Sequence, residues 1–318
     1  MDAVHSPSLR AVLALALSAL SMCAFADTTL SSADEQQIGE LIFRWNDALN
    51  KEPNAQPQSL YSPTVMWYGR SLSAQQVLAN EQAYLAKNVE YNQRIVSTLT
   101  VRPDEQSPGR AAVSFVKRAG MGLDSSQNYP QEMVVVKGAL GWRIVSETDG
   151  ITRANQSKEK STDIARGKFD GQHQSYVWMS DEDPRTGKAC QPYSDCDCAL
   201  WNSDPGVQPV KIPQCLANTV ETLSRLDDSG RDRVVVSPEW WSSNSRLVYV
   251  YDIQQGQWIR VLPGIDKNLN IQEAVRAEDI VQRDAEHPGQ VKVTRAVWDE
   301  ENEDIKTEVV TQTLWVLK

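Results

Sequence analysis

Residues 110–147 read RAAVSFVKRAGMGLDSSQNYPQEMVVVKGALGWRIVSE, and this stretch decides the fold. Apolar and polar residues alternate over 110–118, a β-branched run fills 131–137, and alternation resumes over 141–147. Side chains along a strand point to opposite faces in turn, so a half-buried strand repeats every second residue. Gly138-Ala139-Leu140-Gly141 supplies a tight hairpin turn between the last two runs, and a further run at 94–102 precedes them. Upstream the period changes to that of a helix. Ser32-Ala33-Asp34-Glu35 reads as a capping box, after which Ile38, Leu41, Ile42, Trp45, Ala48 and Leu49 form one apolar stripe. Pro53 and Pro57 stop that helix, a short strand follows at 65–68, and Ser73–Gln76 opens a second helix carrying Val77, Leu78, Tyr84 and Leu85. Helices first and an antiparallel meander after predict an α+β fold over 27–150, a curved antiparallel sheet wrapped round helices.

The segment Leu60-Tyr61-Ser62-Pro63-Thr64-Val65-Met66-Trp67-Tyr68-Gly69-Arg70-Ser71-Leu72-Ser73, with the ending Gly141-Trp142-Arg143-Ile144-Val145-Ser146-Glu147, resembles an exported bacterial subgroup of the nuclear transport factor 2-like (SnoaL-like) proteins. The resemblance covers roughly residues 33–149 and implies a cone-shaped sheet that encloses a pocket. Some members of that family isomerise, dehydrate or hydrolyse small molecules there, with an Asp/His dyad or an Asp of raised pKa. Carried onto this chain, it implies Trp45, Trp67, Tyr68, Tyr84 and Trp142 as pocket-facing aromatics, with Asp47, Arg70 and Glu147 as polar handles. The same aromatics at helical and strand spacing also suit an ordinary packed core. No histidine lies in 27–150, which excludes the dyad. Glu147 and Asp149 close the last strand and could act as an acid/base pair; carboxylates at a strand end usually stand in solvent, and that is the expectation here.

Residues 151–172 are polar and poor in apolar side chains, and read as an interdomain linker. The second domain, 173–318, is predicted to be mostly β, with strand-like runs at 234–236, 246–253, 257–262, 290–298 and 308–317 and turns at Gln255-Gly256 and 299–304. It opens on Cys190, Cys196, Cys198 and Cys215. An even, clustered set predicts two disulfides, and because Cys196 and Cys198 are too close to bridge easily, two pairings remain open. The rival reading, a zinc site, lacks the usual C-x2-4-C knuckle. Leu223-Ser224-Arg225-Leu226-Asp227-Asp228-Ser229-Gly230-Arg231-Asp232-Arg233 resembles the loop of FG-GAP-like blades, which often looks like a calcium site. Here the first position holds Arg225, and among Asp227, Ser229 and Asp232 only the two aspartates match as donors, so the loop reads as degenerate and no metal is expected. Glu239, Trp240 and Trp241 are candidates for partner binding, since paired tryptophans suit sugar stacking or a protein hot spot.

Residues 1–26 read as a cleavable secretory signal: Arg10, an apolar run over 11–19, and Ala24-Phe25-Ala26 before Asp27. The run is short for a bilayer span, which takes about 20 apolar residues. A lipid anchor at Cys23 is the rival, disfavoured by the bulky Met22. The net charge of −10 and the absence of a Lys/Arg stripe argue against nucleic acid. With three histidines in the whole chain and no G-x-S-x-G elbow or nucleotide fingerprint, nothing asks for a cofactor. The expectation is a periplasmic or secreted, non-enzymatic protein without a membrane span that recognises a protein or cell-envelope ligand. An immunity protein opposing a basic partner is one form of it. The alternative is an NTF2-like enzyme, an isomerase or hydrolase acting on a small apolar molecule. A buried carboxylate in a roomy cavity would favour the enzyme; an exposed aromatic patch would favour the binder.

Overall fold

The helix-then-strand order recurs in the computed structural model, which describes residues 30–50, 57–122, 125–159, 163–180, 182–183, 188–190, 195–240 and 244–317. The expected signal peptide and Trp241 lie outside the described residues. Helix α1 (Ser32–Leu49) is capped by Ser31, whose hydroxyl accepts from the Asp34 backbone N–H, one residue earlier than the box read from the sequence. Helix α2 (Ala74–Lys87) starts with a full capping box between Ser73 and Gln76. The strands are β1 (Tyr61–Trp67), β2 (Arg70–Ser73), β3 (Tyr91–Ile95), β4 (Thr100–Pro103), β5 (Arg110–Met121), β6 (Gln127–Gly138) and β7 (Gly141–Asp149). They form one seven-stranded sheet in the order β2-β1-β7-β6-β5-β3, with β4 also on β5. The run expected at 94–102 is thus two strands. β1 and β7 run parallel; the other pairs are antiparallel.

Alternation then places the core. Ile38, Leu41, Ile42 and Trp45 of α1 pack on Val113, Phe115, Met133, Val135 and Ile144, all buried. In β7 the register slips: Ile144 pairs with Val135 and Ser146 with Val134, so Val145 is the extra residue of a bulge. The bulge changes which parity faces inward. Trp142 and Ile144 are buried before it, Glu147 and Asp149 after it.

The described part of the expected linker is structured. Residues Gly150–Gln156 form helix α3, with Asp149 as its N-cap, and Ile164–Gly167 form β8, which pairs with β9 (Ser175–Ser180). Sparse apolar content misled because Ile151, Ile164, Ala165 and Phe169 are few but all buried. A Cβ on Gly150 would meet Ile164 Cδ1 and Pro130 Cγ at 2.8 Å, so glycine permits that close approach. Val116, Ile151, Ile164, Trp178, Ala199 and Trp201 make an apolar cluster joining the first sheet to the strands of the second half. Backbone hydrogen bonds add to it, among them Asn128 N–H to Ser203 O at 2.9 Å.

From β8 onward the chain is mostly β. β8 and β9 join strands Asp197–Asn202 and Val210–Pro213 in a four-stranded sheet. A five-stranded sheet is built on Arg233–Glu239 and Ser245–Gln254, and a three-stranded one on Gln290–Asp299 and Asp304–Thr313. Two disulfides are present, Cys190–Cys196 and Cys198–Cys215, one of the two pairings left open by the sequence. Among the described residues no helix is long and apolar enough to cross a membrane.

Candidate functional site

Between α2 and the inner face of β1, β3, β5, β6 and β7 lies an open cavity of about 570 Å³, lined by Trp67, Tyr68, Arg70, Tyr84 and Glu147 among the residues proposed from sequence. The two-residue turn Tyr68-Gly69 joins β1 to β2, and both residues have positive φ, 47° and 80°. That pattern belongs to a type I′ hairpin turn. Tyrosine is uncommon there, since the left-handed region costs an L-residue on the order of 1–2 kcal/mol. The Tyr68 N–H donating to Glu147 O at 2.8 Å helps hold it. Arg70 stacks over the Trp67 ring at 5.6 Å.

Glu147 is 3% exposed and Asp149 4%, which corrects the expectation of a solvated pair. Asp149 accepts from Thr152 N–H and Oγ1 at 2.7 and 2.8 Å, capping α3. Glu147 Oε2 accepts from Trp45 Nε1 at 3.2 Å. Tyr61 Oη lies 2.7 Å from Glu147 Oε2 and 2.6 Å from Glu81 Oε1. A phenol carries one proton and donates once. The second short contact therefore needs a proton from a carboxylic acid, and one proton is shared between two carboxyls across Tyr61. Glu147 already takes the Trp45 donor, so the proton sits on Glu81. Burial, followed by repulsion from Glu147, pushes the Glu81 carboxyl up to about 8. Burial also raises Glu147, against the pull of Lys117 and hydrogen bonds from Tyr61, Trp45 and Tyr68. Both tyrosines are pushed up as well, by burial first and by the Glu147 charge second.

Lys117, from the middle of β5, completes the cluster. It is 6% exposed, with Nζ 3.4 Å from Tyr68 Oη and over the rings of Trp45 (5.3 Å) and Tyr129 (5.8 Å). Two further polar atoms in the wall residues, Gln93 Nε2 and Trp67 Nε1, are buried without a hydrogen-bond partner. Such atoms are rare in folded proteins and ask for a reason.

Trp45, Asp47 and Trp142 do not line the cavity, and Trp45 is fully buried in the core beside it. Asp47 follows Trp45 by two residues, about 200° round the helix, and stands in solvent. Trp142 lies at the other end of β7, donating Nε1–H to Asp34 Oδ1 at 3.1 Å. Glu81, Lys117 and Tyr61 were not read from the sequence, yet two of them carried a signal. Lys117 shares inward parity with Ala111, Val113, Phe115 and Ala119, and Glu81 lies four residues from both Val77 and Leu85 in the apolar stripe of α2.

In the second half, Glu239 is exposed and Trp240 half-buried. The loop at 227–233 is closed by a guanidinium, though not that of Arg225, which is exposed. Arg233 donates to both Asp227 oxygens at 3.1 and 2.7 Å and to Ser229 Oγ at 3.3 Å. Asp232 turns away to accept the Lys168 N–H at 2.7 Å.

No protein-family model matches the chain, and no curated protein matches it. Among solved structures it is similar to an uncharacterised protein with a cystatin-like fold from Caulobacter vibrioides, at 16% identity over 39% of this chain and 96% of that one, TM-score 0.32. It is also similar to a Nostoc punctiforme domain of unknown function with a cystatin-like fold (19% identity, 38% and 78%, TM-score 0.32) and to the Kfla4162 protein of Kribbella flavida (18%, 37% and 89%, TM-score 0.31). Likenesses this distant concern the fold and carry no functional reading.

Proposed function

We propose that the N-terminal part of the chain is an NTF2-like cone whose cavity carries out acid–base chemistry on a small, neutral, largely apolar molecule. The observation that carries this is that Glu81 and Glu147, both lining the cavity, lie 2.6 and 2.7 Å from the one Tyr61 hydroxyl behind them. Ionisable groups displaced toward neutrality in a concave aromatic site are what general acid–base catalysis uses. A cavity of this volume falls in the range of small-molecule sites. Glu147 is the base and Glu81 the acid that reloads it through Tyr61. The acids Glu81, Glu147 and Asp149 are met in the lining by Arg70 and Lys117, which leaves no large excess of one charge and suits a neutral ligand. The surface-recognition reading keeps Glu239 and Trp240 as its basis, but no cluster of comparable chemistry surrounds them among the described residues. Two disulfides, which persist in oxidising compartments, together with the 1–26 segment support export to the periplasm or beyond.

The test is proton abstraction itself. The protein is incubated in D2O with a set of neutral cyclic ketones, and deuterium at the α-carbon is followed by NMR. Exchange above the buffer rate is expected for at least one ketone, with its loss in Glu147→Gln. Exchange no faster than buffer for every ketone would count against the proposal.

A further inference from the structure

We propose that Lys117 is a nucleophile that forms an imine with an aldehyde or ketone held in the cavity. This rests on the cavity being a small-molecule site, and it names the class of molecule. Other lysines of the chain set the contrast. Lys137 pairs with Asp34 at 2.6 Å, Lys306 with Asp299 at 3.0 Å, and Lys211 with Asp197, all with half-exposed amines. Lys117 is buried and forms no ion pair among the described residues; its nitrogen has one hydroxyl at 3.4 Å and two ring faces. A buried ammonium without a paired anion is unfavourable, and the group responds by giving up its proton. Burial lowers the amine below the ordinary lysine range even against the pull of Asp149, Glu147 and Glu81. A neutral amine on a cavity wall is the form that attacks carbonyl carbon.

The surroundings fit the remaining steps. As Nζ forms the C–N bond, the carbonyl π pair moves to oxygen. A proton passes from nitrogen to that oxygen, with the Tyr68 hydroxyl beside Nζ as the relay, giving a neutral carbinolamine. A second proton, delivered to the same oxygen from the Glu81–Tyr61–Glu147 set, lets the C–O bond break and water leave. The protonated imine then returns its nitrogen proton to Glu147. Both amine hydrogens and the carbonyl oxygen depart as one water, and no oxidant or reductant is needed.

The experiment uses benzaldehyde as the probe. The protein is treated at neutral pH with benzaldehyde and sodium cyanoborohydride, and intact mass and peptide mapping locate the reduced adduct. The expected result is one dominant adduct on Lys117, formed at least tenfold faster than on any exposed lysine and slowed in Glu147→Gln, which retains the amine. In parallel, saturation-transfer NMR without reductant records whether benzaldehyde binds, with Ala119→Trp narrowing the cavity as control. Binding that Ala119→Trp abolishes, with Lys117 left unmodified, would overturn the imine and leave the cavity reading standing. Neither binding nor adduct would overturn both.

Discussion

The cavity cluster around Glu147 and the arginine centre around Arg233 are buried to a similar depth, yet they are assembled from opposite materials. Arg233 is 1% exposed and faces two carboxylates, Asp227 in a forked pair and Asp252 at 3.2 Å. Gln254 donates to Asp252 at 2.9 Å and accepts the Leu317 N–H at 2.7 Å, tying in the last strand's exit. A guanidinium does not deprotonate in a protein, so the cation of this centre is fixed, although burial pushes the Asp252 carboxyl up. Although burial works the other way, hydrogen bonds from Ser229 and Arg233 hold Asp227 below the usual carboxylate range. The Glu147 cluster instead gathers glutamates, tyrosines and a lysine, groups that can hand on a proton, with the Glu81 carboxyl pushed up to about 8, and sets them against a cavity. One centre is built to keep its charge and the other to move it.

That contrast is open to measurement, beginning where the effect is largest. Arg233→Met leaves Asp227 and Asp252 buried without their cation. Removing one partner of a buried pair costs about 3–5 kcal/mol, so denaturant unfolding should show a loss of that size; a loss under about 1 kcal/mol would mean the centre is not the fixed pair described. Next comes the Cys198–Cys215 bridge, whose partners stand 17 residues apart. Closing a loop of that length contributes about 3 kcal/mol, and the Cys198→Ser/Cys215→Ser pair should lose it, with amide exchange rising in the four-stranded sheet before the cavity strands.

The third effect is smaller and has a sign. Glu81 keeps its proton in the folded chain up to about pH 8 but has an ordinary value of 4.5 when unfolded. Between those values the folded state holds more protons, so stability declines as pH rises through this window and levels off above it. Melting temperature should therefore fall from pH 5 toward 8 in the native protein. Glu81→Gln, which mimics the protonated acid, should flatten this slope. The smallest effect expected is none at all: millimolar calcium should leave the melting temperature unchanged, because Arg233 already occupies the Asp227 and Ser229 oxygens.

Much of the first sheet was legible because its strands alternate cleanly, and α1 because its stripe is continuous. Glu147 was found, although for an incomplete reason. Strict alternation from Trp142 would turn it outward, and only the Val145 bulge, which no pattern in the sequence announces, brings it in. Lys117 and Glu81 were missed because a charge is read as surface even where its spacing is that of the core. The 151–172 segment was misread for the converse reason: its few apolar residues are used, Ile151 and Ile164 at the seam between two sheets and Ala165 and Phe169 in a core of the second half.

Central to the cavity's chemistry is a carboxylic acid that keeps its proton at neutral pH beside Tyr61. Carbon-13 NMR of the glutamate side-chain carboxyls, followed through a pH titration, tests it directly. One resonance, absent in Glu81→Gln, should remain protonated through neutrality and titrate near pH 8. If every glutamate in the native protein titrates in the ordinary carboxylate range, the shared proton does not exist.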